Sequence, residues 1–463
     1  MVAVDPGPTA YAAYARTAGR LRAQLAAVPP GTAVRLGKRT SNLFRPRGPA
    51  AGAILDVSGL SGVLAVDREA RTADVLGMTT YEDLVAATLP YGLMPAVVPQ
   101  LRTITLGGAV TGLGIESSSF REGLPHETVL DMDVLTGDAR LVTAGPVGEH
   151  RALFLGFPNS YGTLGYALRL RIELRPVRPY VALRHIPFTD LEAFAGAMAE
   201  ACDRHSYGGV GVDFVDGTVF SPREAYLTLG TWAAQPAHAP SDYTGQDVYY
   251  RSIRERRTDV LTTLDYLWRW DTDWFWCSRA FGAQHPLARR LWPRRLLRSD
   301  TYWRLVRLDE RTGFSGRVDR LRRRPARERV VQDIEVPVER AAEFLRWFDA
   351  EVGMRPVWAC PLRQHDPSLT WPLYAFDPEQ LYVNLGFWGT VALPPGQGDG
   401  FHNRRVEREV ARLHGRKSLY STAFYDEEEF RTLYGGESYA RLKASYDPQG
   451  RLLDLYDKCV RRA

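Results

Sequence analysis

The sequence predicts an α+β protein with mostly antiparallel sheets, divided into two sheet-and-helix regions. Three observations carry this. Short strand patterns recur between Ala33 and Leu174 with a helix among them. A proline-bearing junction, "RPVRPY", Arg175–Tyr180, then closes that pattern. A second strand-and-helix pattern begins beyond it, and a long insertion divides that pattern in two.

The elements follow in chain order. An Ala/Arg-rich amphipathic pattern predicts a helix from about Tyr11 to Val28. The runs AVRLG, GAILDV, TADVLGM, VLDMDVL and the alternating YALRLRIEL predict strands. Thr79 with Glu82 three residues on predicts a capping box for a helix over Tyr81–Leu89. Past the junction come strand VALRHIPF, a helix opened by Thr189 with Glu192, and GVGVDFVDGTVF, in which Asp216-Gly217 reads as a hairpin turn. The counterpart half is strand VVQDIEVPV, a helix over Glu339–Val352, and strands VWACPL and LYVNLGFW. The expected domains are 1–178, then 179–400 carrying an insertion at about 235–329, and a C-terminal segment, 401–463, that returns to the first domain.

Composition narrows the function classes. With 463 residues and 45% hydrophobic content, each region is large enough for its own core. No apolar signal-peptide core opens the chain, and no run approaches the roughly 20 apolar residues of a membrane span. The four cysteines, Cys202, Cys277, Cys360 and Cys459, are far apart without CxxC spacing, which predicts neither a zinc site nor a disulfide framework and suits a reducing, cytoplasmic setting. Arginine is abundant while lysine occurs only at 38, 417, 443 and 458, a bias typical of high-GC bacterial coding. The net charge of +5, with no recognition motif, argues against nucleic acid as a partner.

The insertion holds six of the eleven tryptophans (Trp268, Trp270, Trp274, Trp276, Trp292, Trp303) and the basic runs "LARRLWPRRLLRSDTYWRLVRL" and "RLRRR". Two readings stand: a helical cap with aromatics packed inward, or an interfacial surface that sets tryptophan and arginine against lipid headgroups.

The glycine-rich stretch "TITLGGAVTGLGIESSSFREGL", Thr103–Leu124, lacks GxxxxGK[ST] and does not open an obvious amphipathic helix. Gly107, Gly108, Gly112 and Gly114 offer unobstructed amides to a dinucleotide; a pair of tight turns in a sheet is the other reading.

"TLGGAVTGLGIESSSFREGL" resembles the flavin-binding core of the vanillyl-alcohol oxidase superfamily, and its GxGIESSS ending is closer to the Δ24-sterol reductase branch. "DREARTADVLGMTTYEDLVAATLPYGLMPAVVPQL", "GTLGYALRLRIELRPVRPYV", "QDIEVPVE" with "RPVWACPL", and "LHGRKSLYSTAFYDEEEF" with "LYDKC" resemble the same branch in the same order, from about Ala33 to Cys459. The resemblance implies a two-subdomain FAD domain of the PCMH type, an α+β cap over the flavin, and a returning C-terminal segment. It puts a first phosphate loop on Gly37, Lys38, Arg39, Thr40, Ser41 and Asn42, with Lys38 and Arg39 neutralising the pyrophosphate. A second cofactor loop falls on Thr103, Thr105, Gly107, Gly108, Gly112, Gly114, Ile115, Glu116, Ser117 and Ser118. Flavin-lining backbone falls at Gly162, Thr163 and Gly165. No histidine lies between Gly37 and Asn42, so the FAD is expected to be non-covalent.

The branch reduces isolated alkenes, which accept hydride only once a proton is delivered to the less substituted carbon. A 10-methylene fatty acyl chain meets the same requirement. Related bacterial flavoproteins of this branch are similar to the reductase that makes 10-methyl-branched fatty acids such as tuberculostearic acid. The resemblance therefore implies NADPH-driven reduction of a phospholipid acyl chain by a protein held peripherally at the inner face of the cell membrane. That setting tips the insertion toward the interfacial reading. A methyltransferase that supplies the methylene precursor is the protein partner this route implies. The candidate acids are Tyr420, His414 and Glu116, with Tyr425, Asp271 and Asp273 more remote; Glu116 has an alternative role in bonding a loop amide. No metal is expected. The alternatives are a Δ24-sterol-type reductase, an FAD oxidase of alcohols or sugar alcohols, and a flavin-binding partner protein without turnover.

Overall fold

The YALRLRIEL alternation becomes the longest strand of the first sheet, Tyr166–Pro176. Leu168, Leu170, Ile172 and Leu174 are buried while Arg169, Arg171 and Glu173 alternate toward the other face. The computed structural model describes residues 8–38, 44–45, 52–312 and 325–461. Thr72–Leu76 and Val129–Leu135 flank the long strand antiparallel, with Val63–Asp67 and Leu141–Ala144 outside them, and Leu93–Pro95 pairs its far end. Val34–Leu36 and Ala53–Leu55 form a separate parallel pair. The first helix, Pro8–Ala26, buries Tyr14, Ala18, Leu21 and Leu25 against this layer at the spacing of one helical face.

The second sheet has eight strands, all antiparallel, in the spatial order Thr258–Thr262, Tyr180–Phe188, Glu224–Ala233, Phe214–Ser221, Val357–Leu362, Tyr382–Ala392, Arg327–Pro337 and Arg416–Lys417. Strands from both sides of the insertion thus hydrogen-bond in one sheet. The Leu191–Arg204 and Val338–Glu351 helices share a hydrophobic core with it. A second core runs without a break from the first sheet through the insertion's aromatics to Trp358 and Leu362.

Several sequence expectations change. The Tyr81–Thr88 helix is capped by Thr80, whose hydroxyl accepts from Asp83 N; Thr79 is fully buried and donates to backbone carbonyls instead. Asp190, not Thr189, caps the Leu191–Arg204 helix. Asp216-Gly217 is no hairpin turn: both lie inside the Phe214–Ser221 strand, where a Cβ on Gly217 would stand 2.6 Å from the Phe194 ring. Residues 401–417 do not return to the first domain. The Phe401–Arg412 helix and the Arg416–Lys417 strand stay with the second sheet. The return comes later, where Lys443 Nζ donates to Thr163 O at 2.9 Å and Arg451 Nε to Val28 O at 2.9 Å.

Candidate functional site

A cleft of about 210 Å³ opens where the glycine-rich stretch faces the second sheet. One wall is Pro99–Leu101, Thr103–Thr105, Gly108, Ala109 and Thr111–Ile115; the other is Trp274, Phe275, Trp358 and Trp388; Lys38, Phe44, Tyr161, Asp333 and Tyr420 complete it. The glycine-rich wall is a short helix, Leu106–Gly112, which the sequence reading missed. Thr105 caps it by accepting from Gly108 N at 3.2 Å. Gly107 is required by close approach, since a Cβ there would sit 2.8 Å from Gly77 O. The amides of Gly107, Gly108 and Gly114 are bonded to Gly77 O, Thr105 Oγ1 and Ala109 O. Close packing, rather than donation to an anion, accounts for these glycines.

Donors without a partner are found on side chains instead. Gln100 lines the cleft, and its buried Nε2 has no acceptor among the described residues. Buried Arg45 also has an orphaned Nη2, although its Nη1 donates to Leu419 O at 2.5 Å; its guanidinium lies 4.7 Å from the ring centre of Tyr161, a cleft residue. Lys38, half-buried and with interactions of its own, also lines the cleft. Buried cationic and amide donors left unsatisfied beside an apolar cleft fit an anionic, carbonyl-bearing group such as FAD.

The predicted cofactor residues divide. Lys38, Thr103, Thr105, Gly108, Gly112, Gly114 and Ile115 line the cleft. Gly37 lies outside the lining and extends the Val34–Leu36 pairing through Gly37 N to Leu55 O. Gly107, Ser117, Ser118, Gly162, Thr163 and Gly165 lie outside the lining, while the neighbouring Tyr161 belongs to it. Arg39, Thr40, Ser41 and Asn42 lie outside the described residues.

Of the predicted acids, Tyr420 alone lines the cleft. His414 is exposed in a left-handed turn after the Phe401–Arg412 helix and does not back Tyr420. Glu116 is 3% exposed and points away from the cleft. Its Oε1 accepts from Ser117 N at 2.8 Å and Arg269 Nη2 at 3.2 Å, so it has the loop-amide role. Burial raises the carboxyl's pKa, and the arginine opposes the rise. Arg269 also holds Asp216 Oδ2 at 2.9 Å, and Trp270 and Trp358 direct their indole N–H groups at the same oxygen. This buried triad joins the glycine loop to the second sheet and orients Trp358 in the cleft wall. Asp271 and Asp273 are likewise committed, to Arg102 and Arg289. Tyr425 is buried outside the lining.

The partner of Tyr420 is Asp333, which the sequence reading did not select. Trp388 Nε1 donates to Tyr420 Oη at 2.9 Å, Asn384 Nδ2 donates to Asp333 Oδ1 at 3.3 Å, and Tyr420 and Asp333 stand side by side in the cleft lining, close enough for each to shift the other's titration. Asp333 is the only carboxylate among the described residues lining the cleft, and burial pushes it up to about 6. The Tyr420 phenol is raised well above its usual value, first by burial and then by the Asp333 charge. The register explains how the pair fits: Asp333 lies opposite Gly386, where a Cβ would collide with the Asp333 carboxylate and stand 2.5 Å from the Trp388 ring. The available signal was "VVQDIEVPV", which sets Asp333 and Glu335 on one face of an otherwise apolar strand.

Residues 11–145 match the family described as FAD binding domain. Over 437 residues the chain is 26% identical to Delta(24)-sterol reductase of Arabidopsis thaliana, covering 87% of this chain and 76% of the plant protein. It is 26% identical over 418 residues to Delta(24)-sterol reductase of Homo sapiens, covering 87% and 77%. Cytokinin dehydrogenase 10 of Oryza sativa is 28% identical over 209 residues, 44% of this chain and 38% of the rice protein. No helix among the described residues is long and apolar enough to cross a membrane. Together with the donors around the cleft, the domain match makes this protein an FAD-dependent oxidoreductase with an α+β fold of the PCMH type.

Proposed function

We propose that the protein reduces an isolated carbon–carbon double bond in a lipid, using NADPH as reductant, and that the substrate is a 10-methylene fatty acyl chain of a phospholipid. The observation that carries this is a single acid pair, Tyr420–Asp333, set in an aromatic cleft beside the FAD domain's glycine wall. Lys38, Arg45 and Gln100 would hold the cofactor along that wall. Bound FAD, once reduced, supplies a hydride.

Trp274, Phe275, Trp358 and Trp388 exclude water and accept an alkyl chain; Phe275 and Trp388 stack at 4.3 Å. An ionised Asp333 holds the Tyr420 hydrogen for itself. A protonated Asp333 donates to Tyr420 Oη beside the Trp388 N–H, which frees the phenol hydrogen for the cleft. Tyr420 then protonates the CH2 terminus of the alkene while Asp333 returns a proton to the phenol oxygen. The π bond breaks, a methyl C–H forms, and the tertiary carbon takes the hydride. NADPH is oxidised and the lipid gains two hydrogens. The donor leaves the cleft before the lipid enters, so the kinetics are ping-pong.

A second reading keeps the same chemistry on a Δ24-sterol side chain, and the names of the relatives favour it. The deciding experiment offers FAD-loaded protein and NADPH, under argon, a 10-methylene-octadecanoyl phospholipid, a Δ24-sterol or a sugar alcohol separately. Saturation of the phospholipid alone is expected. Turnover of the sterol alone transfers the assignment to the second reading. Peroxide formed from the alcohol in air, with neither alkene reduced, sinks both.

A further inference from the structure

The insertion's tryptophans do not make a headgroup surface: Trp268, Trp270, Trp274, Trp276 and Trp303 are all buried, and Trp292 is half-buried. The exposed apolar side chains there are leucines. On the short Pro286–Leu291 helix, Leu287 and Leu291 are 70% and 84% exposed, four residues apart and so on one face. Leu296 follows, also exposed, amid exposed Arg290, Arg294 and Arg295. The same helix forms the rim of a second cavity, of about 500 Å³, lined by Arg251, Arg289, Arg290, Gln246, Gln284 and the Val248–Pro286 edge.

No carboxylate lines that cavity among the described residues. Arg289 is fixed in its floor by Asp273 at 2.5 Å and by the carbonyls of Gln246 and Asp247, and Arg251 by Gln284. Arg290 stands at the rim and makes no ion pair among the described residues. Arg290 and Arg251 in a concave site, beside two solvent-facing leucines, match a phosphate with an alkyl region next to it, while Arg289, its charge paired with Asp273, shapes the floor. The patch is also continuous with the reaction cleft. Trp292, which follows Leu291, contacts Tyr302 at 6.4 Å; Tyr302 stacks with Trp274 at 6.5 Å, and Trp274 with Phe44 at 5.7 Å. Trp274 and Phe44 both line the cleft.

We infer that this face docks the protein on an anionic bilayer, with a lipid phosphate in the Arg251–Arg289–Arg290 cavity and Leu287 and Leu291 in the acyl layer. The packed Trp292–Tyr302–Trp274 contacts tie this face to the cleft wall. The choice of partner rests on the lipid reading above, but docking is measured without turnover, so the two fail separately.

The test is co-sedimentation of the full-length, FAD-loaded protein with vesicles of phosphatidylcholine, alone or with phosphatidylglycerol. Expected is binding to the phosphatidylglycerol vesicles that weakens with salt. Arg290→Glu, a change of two charges, should reduce it by about twenty-fivefold, at roughly fivefold per charge near a membrane surface. Leu287→Ser with Leu291→Ser should reduce it by about tenfold or more while NADPH still reduces the flavin at the wild-type rate. Equal binding to both vesicle types, no binding, or variants that bind like wild type would overturn the inference. So would release of the protein by millimolar inorganic phosphate combined with indifference to the leucine changes, which would make the cavity a site for soluble phosphate.

Discussion

Replacing Asp333 by Asn tests whether the carboxyl is the proton source behind Tyr420. Asn keeps the shape of the protonated acid: its oxygen can accept from Asn384 Nδ2 and its amide can donate to Tyr420 Oη, but it has no proton to give. A positioned general acid contributes about 10²–10⁴-fold, so reoxidation of reduced flavin by the alkene should slow by about that factor. The wild-type rate should also fall as pH rises through the Asp333 value of about 6. Protonated Asp333 drops from half at pH 6 to about one per cent at pH 8, so the rate falls about fiftyfold, and the Asn variant shows no such slope. Stability falls over rising pH as the rate does, but the Asn substitution moves stability and catalysis in opposite directions, which separates catalysis from folding. A folded-state pKa raised from 3.8 to about 6 contributes stability that is complete below the lower value and lost as pH rises through the higher one. The Asn variant should therefore be at least as stable as wild type at pH 8. The assay is anaerobic stopped-flow of NADPH-reduced protein mixed with the alkene lipid, from pH 5 to 9. A variant that reoxidises at the wild-type rate with the wild-type pH profile would refute the role of Asp333.

Other outcomes follow from the same geometry. Arg269→Ala leaves Glu116 and Asp216 buried without their cation, and should lower unfolding free energy by about 3–5 kcal/mol in a denaturant titration and loosen FAD retention. Gly386→Ala forces Asp333 and Trp388 apart, and should cut alkene reduction by about tenfold or more while flavin reduction by NADPH is unchanged, read by separate half-reactions. Arg45→Met removes the orphaned Nη2 donor and also the Nη1 bond to Leu419 O, and should weaken FAD by about 10–100-fold in a fluorescence titration while costing the apoprotein about 1–3 kcal/mol of stability.

Much of the scaffold was legible in the sequence. YALRLRIEL read as a strand because a half-buried antiparallel strand imposes a two-residue period on hydrophobicity, whereas the strand of VVQDIEVPV is buried on both faces. The glycine stretch was marked correctly as special, but its helix was not seen. Leu106–Gly112 carries three glycines, poor helix formers, and is held by the Thr105 cap and contact with Gly77. Asp216-Gly217 carried a turn signature, yet the facing Phe194 ring requires glycine inside a strand. His414 was chosen for its nearness in sequence to Tyr420, but the turn after the helix leaves it in solvent. VVQDIEVPV marked Asp333 as a carboxylate on a largely apolar strand, but its place beside Tyr420 needed the register: the strand pairs with Tyr382–Ala392, placing the carboxylate opposite Gly386 and near Trp388.

The central claim is that this cleft reduces an unactivated alkene in a lipid. It is tested most directly by reducing the FAD-bound protein with one equivalent of NADPH under argon, adding 10-methylene-octadecanoyl phospholipid, and following flavin absorbance while weighing the lipid by mass spectrometry. The account predicts that oxidised flavin returns without oxygen and that the lipid gains two hydrogens in equal amount. Flavin that stays reduced until oxygen is admitted, with the lipid unchanged, would contradict it.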